Sequence, residues 1–527
     1  MASRRGPSRR ALRGSVKDLT VDDLPVHEPY VRALSARGLR VRGTSRWLNA
    51  ASVEGPAGAV AALVRLPFVL AVEPVERARS LRPAEPLVPE TGAAKAPPRQ
   101  LLAPGDPSYY GATYKQLVMM RAPEAHAAGL DGSGVLVAIL DTGFRTTHDV
   151  FAGLSVVARR DFVHGDTNVD DEVGQDPAGA GSHGTQTLAC IAGLKVGTFA
   201  GGAYAASVAL GKTENVSTET PVEMDNWQFG AEWADSLGAD VLSSSLGYFE
   251  FDPPNPSYVY ADMDGKTTTV TKAASMAVRR GIVVVTANGN ERGTTWNFLI
   301  APADADTVIS AGAVDSFNVL APFSSPGPTA DGRIKPDVTA MGRRVYVPLF
   351  TSNTDYGRVS GTSFSTPLTA AMAALVVQAH PTWDPFAVRE ALRQTALNAA
   401  APNNDIGWGL VHVPAAVLWI PSTTDVPAPG PGSAARDGLA LSAGPNPFSL
   451  SRSPAVIRFT AKGPATLDAY DARGRHVARL FAGDATAGAS VAWRGTGEGG
   501  AVVPAGLYWL RLAAPGAFRT LRVVATR

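Results

Sequence analysis

The chain has 527 residues, a length typical of three or four domains, and 45% of them are hydrophobic while 18% are charged, as in globular proteins with a large core. The 48 basic and 47 acidic side chains give a formal charge of +1, which excludes electrostatic capture of nucleic acid or of an acidic membrane surface as the main activity. The single cysteine, Cys190, excludes an internal disulfide framework and a cysteine-rich zinc site.

Two proline-rich segments, at 83–107 and 421–437, have the composition of exposed linkers. They predict an N-terminal unit at 1–82, a central domain at 108–420 and a C-terminal unit at 438–527. No stretch of about 18 uninterrupted apolar residues occurs, so we expect no membrane-spanning helix.

The N-terminal unit has the pattern of a small α+β fold. Residues 28–37 have helical spacing and 39–42 alternate as a strand. We predict a second strand at 47–53, a helix at 58–64 and a final strand at 68–75. No cluster of catalytic residue types occurs in this unit.

The central domain alternates short apolar runs with helical patterns. The apolar runs are at 135–140, 207–210, 241–244, 282–285 and 308–311, and helices are predicted at 182–191, 225–237 and 272–279. Strands that are apolar on both faces and separated by helices predict an α/β domain with a parallel sheet and helices on both faces. In such a fold, ligands bind beyond the carboxyl ends of the strands.

The C-terminal unit has a different pattern. Six short segments between 456 and 524 alternate apolar and polar residues and are separated by glycine-rich turns. This spacing predicts an antiparallel β-sandwich.

Three polar residues of the central domain lie where a predicted strand ends or a helix begins. Asp141 directly follows the run 135–140, where a carboxylate needs hydrogen-bond donors, although, taken alone, it fits a turn-forming aspartate beside Gly143 better. His183 opens a predicted helix between Ser182 and Gly184, where it could be catalytic or incidental. Ser363 lies at a helix N-terminus, where it could be a plain N-cap, and free N–H groups there would stabilise an oxyanion.

The segment Thr286-Ala287-Asn288-Gly289-Asn290 follows the predicted strand 282–285. An asparagine amide just beyond a strand can donate a hydrogen bond to a developing negative oxygen. Two asparagines fit this role. Taken together, the four features supply a carboxylate, a base, a nucleophile and an oxyanion donor at the edge where ligands are expected.

The motifs Asp141-Thr142-Gly143, His183-Gly184-Thr185 and Gly361-Thr362-Ser363, in this order, resemble the signature of the subtilisin-like serine proteases (peptidase S8). The resemblance extends over roughly residues 108–415 and implies a subtilisin-like catalytic domain. It implies hydrolysis of peptide bonds in proteins or peptides through an acyl-enzyme, with no cofactor.

The resemblance assigns a role to each residue of the signature. Ser363 would be the nucleophile, His183 the general base and acid, and Asp141 the residue that orients the imidazole. The oxyanion asparagine of the family stands in a Gly-Asn-Glu sequence, which selects Asn290 over Asn288.

Other residues receive roles on the same ground. Ser245-Leu246-Gly247 resembles the substrate-binding segment of the family, whose backbone pairs with an extended peptide. We expect His148 to be structural and Cys190 to be a small buried apolar residue. No calcium-ligand loop of the family is matched, and the acidic run 166–176 is typical of a solvated loop, so we expect no metal site.

The flanking units also resemble parts of such enzymes. The N-terminal unit resembles a propeptide that acts as intramolecular chaperone and inhibitor, and residues 444–448 and 506–508 of the C-terminal unit resemble FlgD-type Ig-like or secretion-sorting domains. This layout predicts a secreted or cell-surface monomer. No apolar signal region follows the basic residues at the N-terminus, so we expect the natural precursor to begin further upstream.

Two other functions are compatible with parts of the sequence. A surface binding protein on a protease scaffold that no longer cuts would keep the fold, but the presence of all four site residues argues against it. A lipase or esterase would need a Gly-x-Ser-x-Gly elbow and the order Ser, Asp, His, and the chain has neither.

Overall fold

A computed structural model describes residue 13 and residues 23–73, 75, 102–217, 220–252, 257–420 and 439–526, the last range with gaps at 445–447, 452–453, 462, 472–475, 487, 505 and 515–516. The predicted linker at 421–437 and most of the one at 83–107 therefore lie outside the described residues. The chain separates into two compact units, Met1–Pro421 and Ser422–Arg527.

The N-terminal part of the first unit is a small α+β arrangement, as its pattern predicts. It consists of α1 (Glu28–Ser35), β1 (Arg40–Ser45), β2 (Ala50–Glu54), α2 (Ala57–Ala61) and a 3₁₀ turn (Ala62–Arg65). The two strands pair antiparallel, with Ser45 opposite Ala50. A small cluster of buried leucines, Leu34, Leu39 and Leu63, lies beneath them.

Two strand predictions for this part need correction: one has the wrong start, and the other is wrong among the described residues. The strand predicted at 47–53 begins only at Ala50, because residues 46–49 form the hairpin turn and Asn49 adopts a positive φ of 47°. The strand predicted at 68–75 is absent among residues 68–73 and 75. Phe68 and Val69 pack against the leucine cluster without forming a strand, and Leu70 is fully exposed.

The central domain contains eleven strands among its described residues. They are β3 (Leu136–Asp141), β4 (Ser155–Asp161), β5 (Leu194–Lys195), β6 (Phe199–Ala200), β7 (Ser207–Lys212), β8 (Val241–Ser244), β9 (Val283–Ala287), β10 (Ile309–Val314), β11 (Val338–Met341), β12 (Val345–Pro348) and β13 (Tyr356–Val359). Seven of them form a parallel sheet in the order β11-β10-β9-β8-β3-β7-β4.

The helices of this domain are α3 (Pro107–Tyr110), α4 (Tyr114–Val118), α5 (Ala122–Ala127), α6 (Ser182–Ala192), α7 (Pro221–Leu237), α8 (Thr269–Arg279), α9 (Thr362–Ala379), α10 (Pro385–Gln394) and α11 (Val413–Leu418). The two faces of the sheet belong to different hydrophobic clusters. In β3, Val137 and Ile139 pack in the cluster that includes α6 and α9, whereas Leu136, Ala138 and Leu140 pack with α7 and α8. The predicted parallel sheet with helices on both faces is therefore confirmed.

The C-terminal unit contains β14 (Ala440–Gly444), β15 (Phe448–Ser449), β16 (Ala455–Thr460), β17 (Pro464–Asp471), β18 (His476–Asp484), β19 (Ala489–Trp493), β20 (Gly506–Ala514) and β21 (Ala517–Thr526). They form a three-stranded sheet, β14-β16-β19, and a five-stranded sheet, β15-β21-β20-β17-β18. Side chains of both sheets, such as Ile457 and Leu510, share one buried cluster, which makes the unit a sandwich. All pairs are antiparallel except β15–β21.

A search of the described helices for a candidate membrane span finds no helix with the required length and hydropathy.

Candidate active site

The predicted site residues come from three neighbouring strands and two helices. Asp141 is the last residue of β3, Ser245 follows β8, and Asn290 lies three residues after β9. His183 and Ser363 are the second residues of α6 and α9. Because β9, β8 and β3 are adjacent and parallel, their carboxyl ends meet at one edge of the sheet.

A cleft of about 330 Å³ opens at this edge. Its lining includes six of the seven predicted site residues, namely His183, Asn290, Ser363 and the segment Ser245–Gly247. Asp141 lies behind the cleft and is fully buried. The motifs that are far apart in the chain thus contribute to one concave surface.

Asp141 holds the imidazole of His183 by a short hydrogen bond. The Nδ1 of His183 lies 2.7 Å from Oδ1 of Asp141. The Asp141 carboxylate also accepts hydrogen bonds from the Thr142 N–H (2.7 Å) and from the Thr187 hydroxyl (3.0 Å). Because both carboxylate oxygens have donors, the buried charge is satisfied, and the imidazole of His183 is held through its Nδ1.

Glycine at position 184 makes this contact possible. A Cβ on Gly184 would overlap the carbonyl oxygen of Gly143 and would lie 3.0 Å from the Cβ of Asp141. Only glycine therefore lets the first turn of α6 approach the end of β3 so closely. The close approach brings His183 and, one helical turn later, Thr187 within hydrogen-bond distance of Asp141.

Ser363 lies in the first turn of α9, but Pro367 does not. The helix begins at Thr362, so Pro367 lies in its second turn. Pro367 has no N–H to donate to the carbonyl of Ser363. The hydroxyl of Ser245 donates to that carbonyl instead, at 2.7 Å, and the Ser363 hydroxyl lies 3.4 Å from the Ser245 carbonyl oxygen.

The two candidate asparagines have different surroundings. Asn288 is fully buried and donates its amide to the carbonyl of Ser325 (2.7 Å). Asn290 lines the cleft, and its Oδ1 accepts hydrogen bonds from the N–H (2.9 Å) and the hydroxyl (3.0 Å) of Thr362. With its oxygen held next to Ser363, Asn290 has its NH₂ group available for the cleft, which favours it over Asn288 as an oxyanion donor.

Several cleft residues carry no sequence motif. Glu214 and Ile300 line the cleft, as does the predicted segment Ser245–Gly247. Glu214 accepts a hydrogen bond from the Tyr248 hydroxyl (2.5 Å). They could not be found from local patterns, because each lies in a loop that only the folded sheet brings to this edge.

His148 and Cys190 have structural environments, as predicted. The Nδ1 of His148 accepts from the Val150 N–H (3.3 Å), and its Nε2 lies 3.0 Å from the Asp355 carbonyl oxygen. Burial lowers the pKa of His148, and this residue is not among those that line the cleft. Cys190 is fully buried, and burial raises the pKa of its thiol to about 12.

The acidic run at 166–176 contributes to a carboxylate cluster. Asp161, Asp166 and Glu172 each offer an oxygen atom within 4.8 Å of the others. The ammonium group of Lys212 lies 3.2 Å from Asp161 and 2.6 Å from Asp176, so a protein cation already balances part of this charge.

Comparisons with known proteins agree with this geometry. The family model "Peptidase_S8: Subtilase family" matches residues 132–409, slightly more than half of the chain. The chain belongs to the subtilase family. A second model, "Peptidase S8 propeptide domain, Bacteroidota", matches residues 1–88 of this subtilase, so the N-terminal part is a propeptide domain.

Curated relatives of the subtilase are bacterial proteases. It is 32% identical to "Subtilisin BL" of Lederbergia lenta over 299 residues, which cover 56% of this chain and 96% of the relative. It is also 32% identical to "Alkaline protease" of Shouchella clausii, with 56% of this chain and 68% of the relative covered. It is 33% identical to "Subtilisin amylosacchariticus" of Bacillus subtilis subsp. amylosacchariticus over 56% of this chain and 69% of the relative.

Proposed function

We propose that this subtilase is an exported serine endopeptidase with Asp141, His183 and Ser363 as its catalytic triad. The observation that carries the proposal is the shared cleft: Ser363 and His183 line it, and the Nδ1 of His183 is bonded to buried Asp141. This arrangement suits acyl transfer, because a nucleophile, a base and an orienting carboxylate are present together.

In the first step, the hydroxyl oxygen of Ser363 attacks the carbonyl carbon of the scissile peptide bond. His183 Nε2 takes the hydroxyl proton and then delivers it to the leaving amine, while Asp141 keeps the imidazole in the required tautomer and stabilises the imidazolium. Water then takes the place of the leaving amine. His183 Nε2 accepts a proton from this water as its oxygen attacks the acyl carbon, and then returns the proton to the oxygen of Ser363. These steps release both peptide products and regenerate Ser363.

The negative oxygen that develops on the carbonyl needs donors in the cleft. Asn290 supplies its amide NH₂, and the N-terminus of α9 supplies backbone N–H groups near Ser363. The backbone of Ser245–Gly247, which follows β8 along the cleft, pairs with an extended substrate as an added strand.

The flanking units have supporting roles in this proposal. The propeptide acts as an intramolecular chaperone and inhibitor until it is cut off, in agreement with the family match over residues 1–88. Export to the cell surface or medium agrees with the relatedness to subtilisins. The two-sheet C-terminal unit serves as an Ig-like or secretion-sorting domain of the FlgD type, and the mature enzyme acts as a monomer without a cofactor.

Fluorophosphonate labelling of the purified enzyme tests this function. The reagent is expected to attach to Ser363, as identified by mass spectrometry of the labelled peptide, and to abolish casein hydrolysis to the same extent as it labels. A preparation that neither reacts with the reagent nor cuts casein would support the binding-protein alternative instead.

A further inference from the structure

The cleft beside Ser363 contains a large aliphatic side chain where a substrate side chain has to enter. Two loops form the walls of this part of the cleft, Ser245–Gly247 after β8 and 287–290 at the end of β9. The first wall contains Gly247 and the second contains Gly289, and Ile300 lies between the two walls.

The side chain of Ile300 fills the space beside Gly247 and lies in close contact with the space beside Gly289. A Cβ added to Gly247 would overlap the Cδ1 and Cγ1 atoms of Ile300. A Cβ added to Gly289 would lie 2.7 Å from the hydroxyl oxygen of Ser325, and 3.2 Å from Cγ1 and 3.4 Å from Cδ1 of Ile300. Ile300 therefore spans from one wall to the other, and only 9% of it is exposed.

The backbone around Ile300 is tied to both walls. Its N–H donates to the carbonyl of Asn288 (3.3 Å) on one side. On the other side, Ala301 and Tyr248 exchange two hydrogen bonds of 3.2 Å and 2.8 Å. These bonds fix the main chain on both sides of the cleft. A movement of the backbone at Ile300 away from the cleft would therefore break them.

The position of the scissile carbonyl determines which substrate side chain meets Ile300. This carbonyl has to lie between the hydroxyl of Ser363 and the amide of Asn290, which directly follows Gly289. The Cβ of the residue that supplies the carbonyl is only two bonds from the carbonyl carbon. Its side chain therefore points into the space between Gly247 and Gly289, where Ile300 forms the floor.

We infer that Ile300 restricts this endopeptidase to cleavage after residues with small side chains, such as glycine, alanine and serine. This inference rests on the proposed function, since it concerns the acyl side of the same cleft. A benzyl or isobutyl side chain would have to occupy volume that the isoleucine already fills. Displacing a close-packed side chain costs free energy, so binding of such substrates is weakened.

The test compares peptides that share one leaving group and differ only in the acyl-side residue, which is Ala, Leu or Phe. We expect the processed enzyme to show a kcat/KM for Ala at least about tenfold above that for Phe. In Ile300→Gly, the kcat/KM for Phe should rise about tenfold or more, while that for Ala changes less than about threefold. Ile300→Ala, which perturbs the floor less, should shift the same ratio in the same direction.

Val216→Ala is the matched control. It shortens another aliphatic side chain that lines the cleft but that is absent from the contacts of Gly247 and Gly289. Its ratio of Ala to Phe turnover should stay within about threefold of the wild-type ratio. Fluorophosphonate titration of every variant gives the concentration of reactive Ser363, so a folding defect is separated from a change in selectivity.

The outcomes distinguish this inference from the proposal on which it rests. An enzyme that reacts with fluorophosphonate but cuts after Phe or Leu as readily as after Ala overturns the size restriction alone. An unchanged ratio in both Ile300 variants does the same. A protein that is neither labelled nor active on casein overturns the proposed function, and the size restriction with it.

Discussion

The cleft and the N-terminal propeptide obtain their stability in opposite ways. The cleft residues lie at the ends of strands whose two faces are covered by separate hydrophobic clusters, which are formed mainly by the central domain itself. The described part of the propeptide has a cluster with only three fully buried residues, Leu34, Leu39 and Leu63. Its largest buried side chain, Trp47, packs in the core cluster of α7 and α8.

The tip of the propeptide hairpin is held by residues of α7 and by Arg280, which follows α8. The indole of Trp47 lies 4.8 Å from the guanidinium carbon of Arg280. The Ser45 hydroxyl donates to Glu232 (2.5 Å), and Arg46 forms an ion pair with Asp235 (3.1 Å). The propeptide thus depends on the domain it covers, whereas the domain keeps nearly all of its core without the propeptide. Such an asymmetry suits a segment that is removed after folding.

Replacing the nucleophile should have the largest effect of all, because it stops both catalysis in the cleft and removal of the propeptide. In Ser363→Ala, casein hydrolysis should fall about 10⁶-fold and the propeptide should stay covalently attached, because self-cleavage needs the same hydroxyl. Mass spectrometry of the purified chain measures the attachment. Ser365→Ala, which alters a buried hydroxyl one residue beyond Phe364, should mature normally. A Ser363→Ala chain that matures unaided would remove Ser363 from the mechanism.

Loss of the oxyanion donor should affect the cleft without affecting the propeptide contact. Asn290→Ala is expected to lower kcat about 10²–10³-fold with little change in KM, the magnitude known for the equivalent donor in subtilisin, because the amide acts on the transition state. Steady-state kinetics on a peptide substrate measures both constants.

Asn288→Ala is the comparison variant for this prediction. It removes a buried hydrogen bond to the Ser325 carbonyl, so it should lower the melting temperature while kcat changes little. If Asn288→Ala shows the kinetic loss and Asn290→Ala does not, the oxyanion assignment is wrong by two residues.

The architecture of the central domain could be predicted from the sequence because its strands are apolar on both faces. The run at 135–140, for example, corresponds to β3, whose residues alternate between two clusters. The same reasoning failed at 68–75, where an apolar run forms no strand among its described residues, 68–73 and 75. Local patterning identifies a strand only where the rest of the fold supplies a neighbour.

The site could be predicted only as far as its motifs extend. Asp141, His183 and Ser363 belong to recognisable motifs at the ends of strands and helices. Thr187 and Ile300 belong to no motif, and their roles depend on the side chains that they contact in the folded domain. The function of Thr187 depends on the closeness of α6 to β3, which a glycine side chain permits. Such contacts are properties of tertiary packing, so one sequence without its fold does not reveal them.

Truncating the buried indole should loosen the propeptide and leave the cleft domain unchanged. In the Ser363→Ala precursor, Trp47→Ala should cost about 3 kcal/mol or more of local stability, because large aromatic truncations create cavities. Amide hydrogen exchange of β1 and β2 should then accelerate about 10²-fold, while that of β3 and β9 stays the same.

Leu48→Ala provides the control for this effect. Leu48 is the next residue in the same hairpin turn, but its side chain is exposed, so its truncation should change exchange only slightly. Equal acceleration in Trp47→Ala and Leu48→Ala would show that turn geometry, rather than burial of the indole, holds the propeptide.

The smallest expected effect concerns the hydrogen bond that compensates for Pro367. Ser245→Ala removes the hydroxyl that donates to the Ser363 carbonyl, and a lost neutral hydrogen bond of this kind should lower kcat about two- to tenfold. If kcat falls because the Ser363 carbonyl lacks a donor, which the missing N–H of Pro367 explains, the double variant Ser245→Ala/Pro367→Ala should recover most of the lost kcat. An alanine at 367 can donate to the same carbonyl as an ordinary helical bond. A double variant as slow as the single one would instead assign the effect to direct contact of the Ser245 hydroxyl with the substrate.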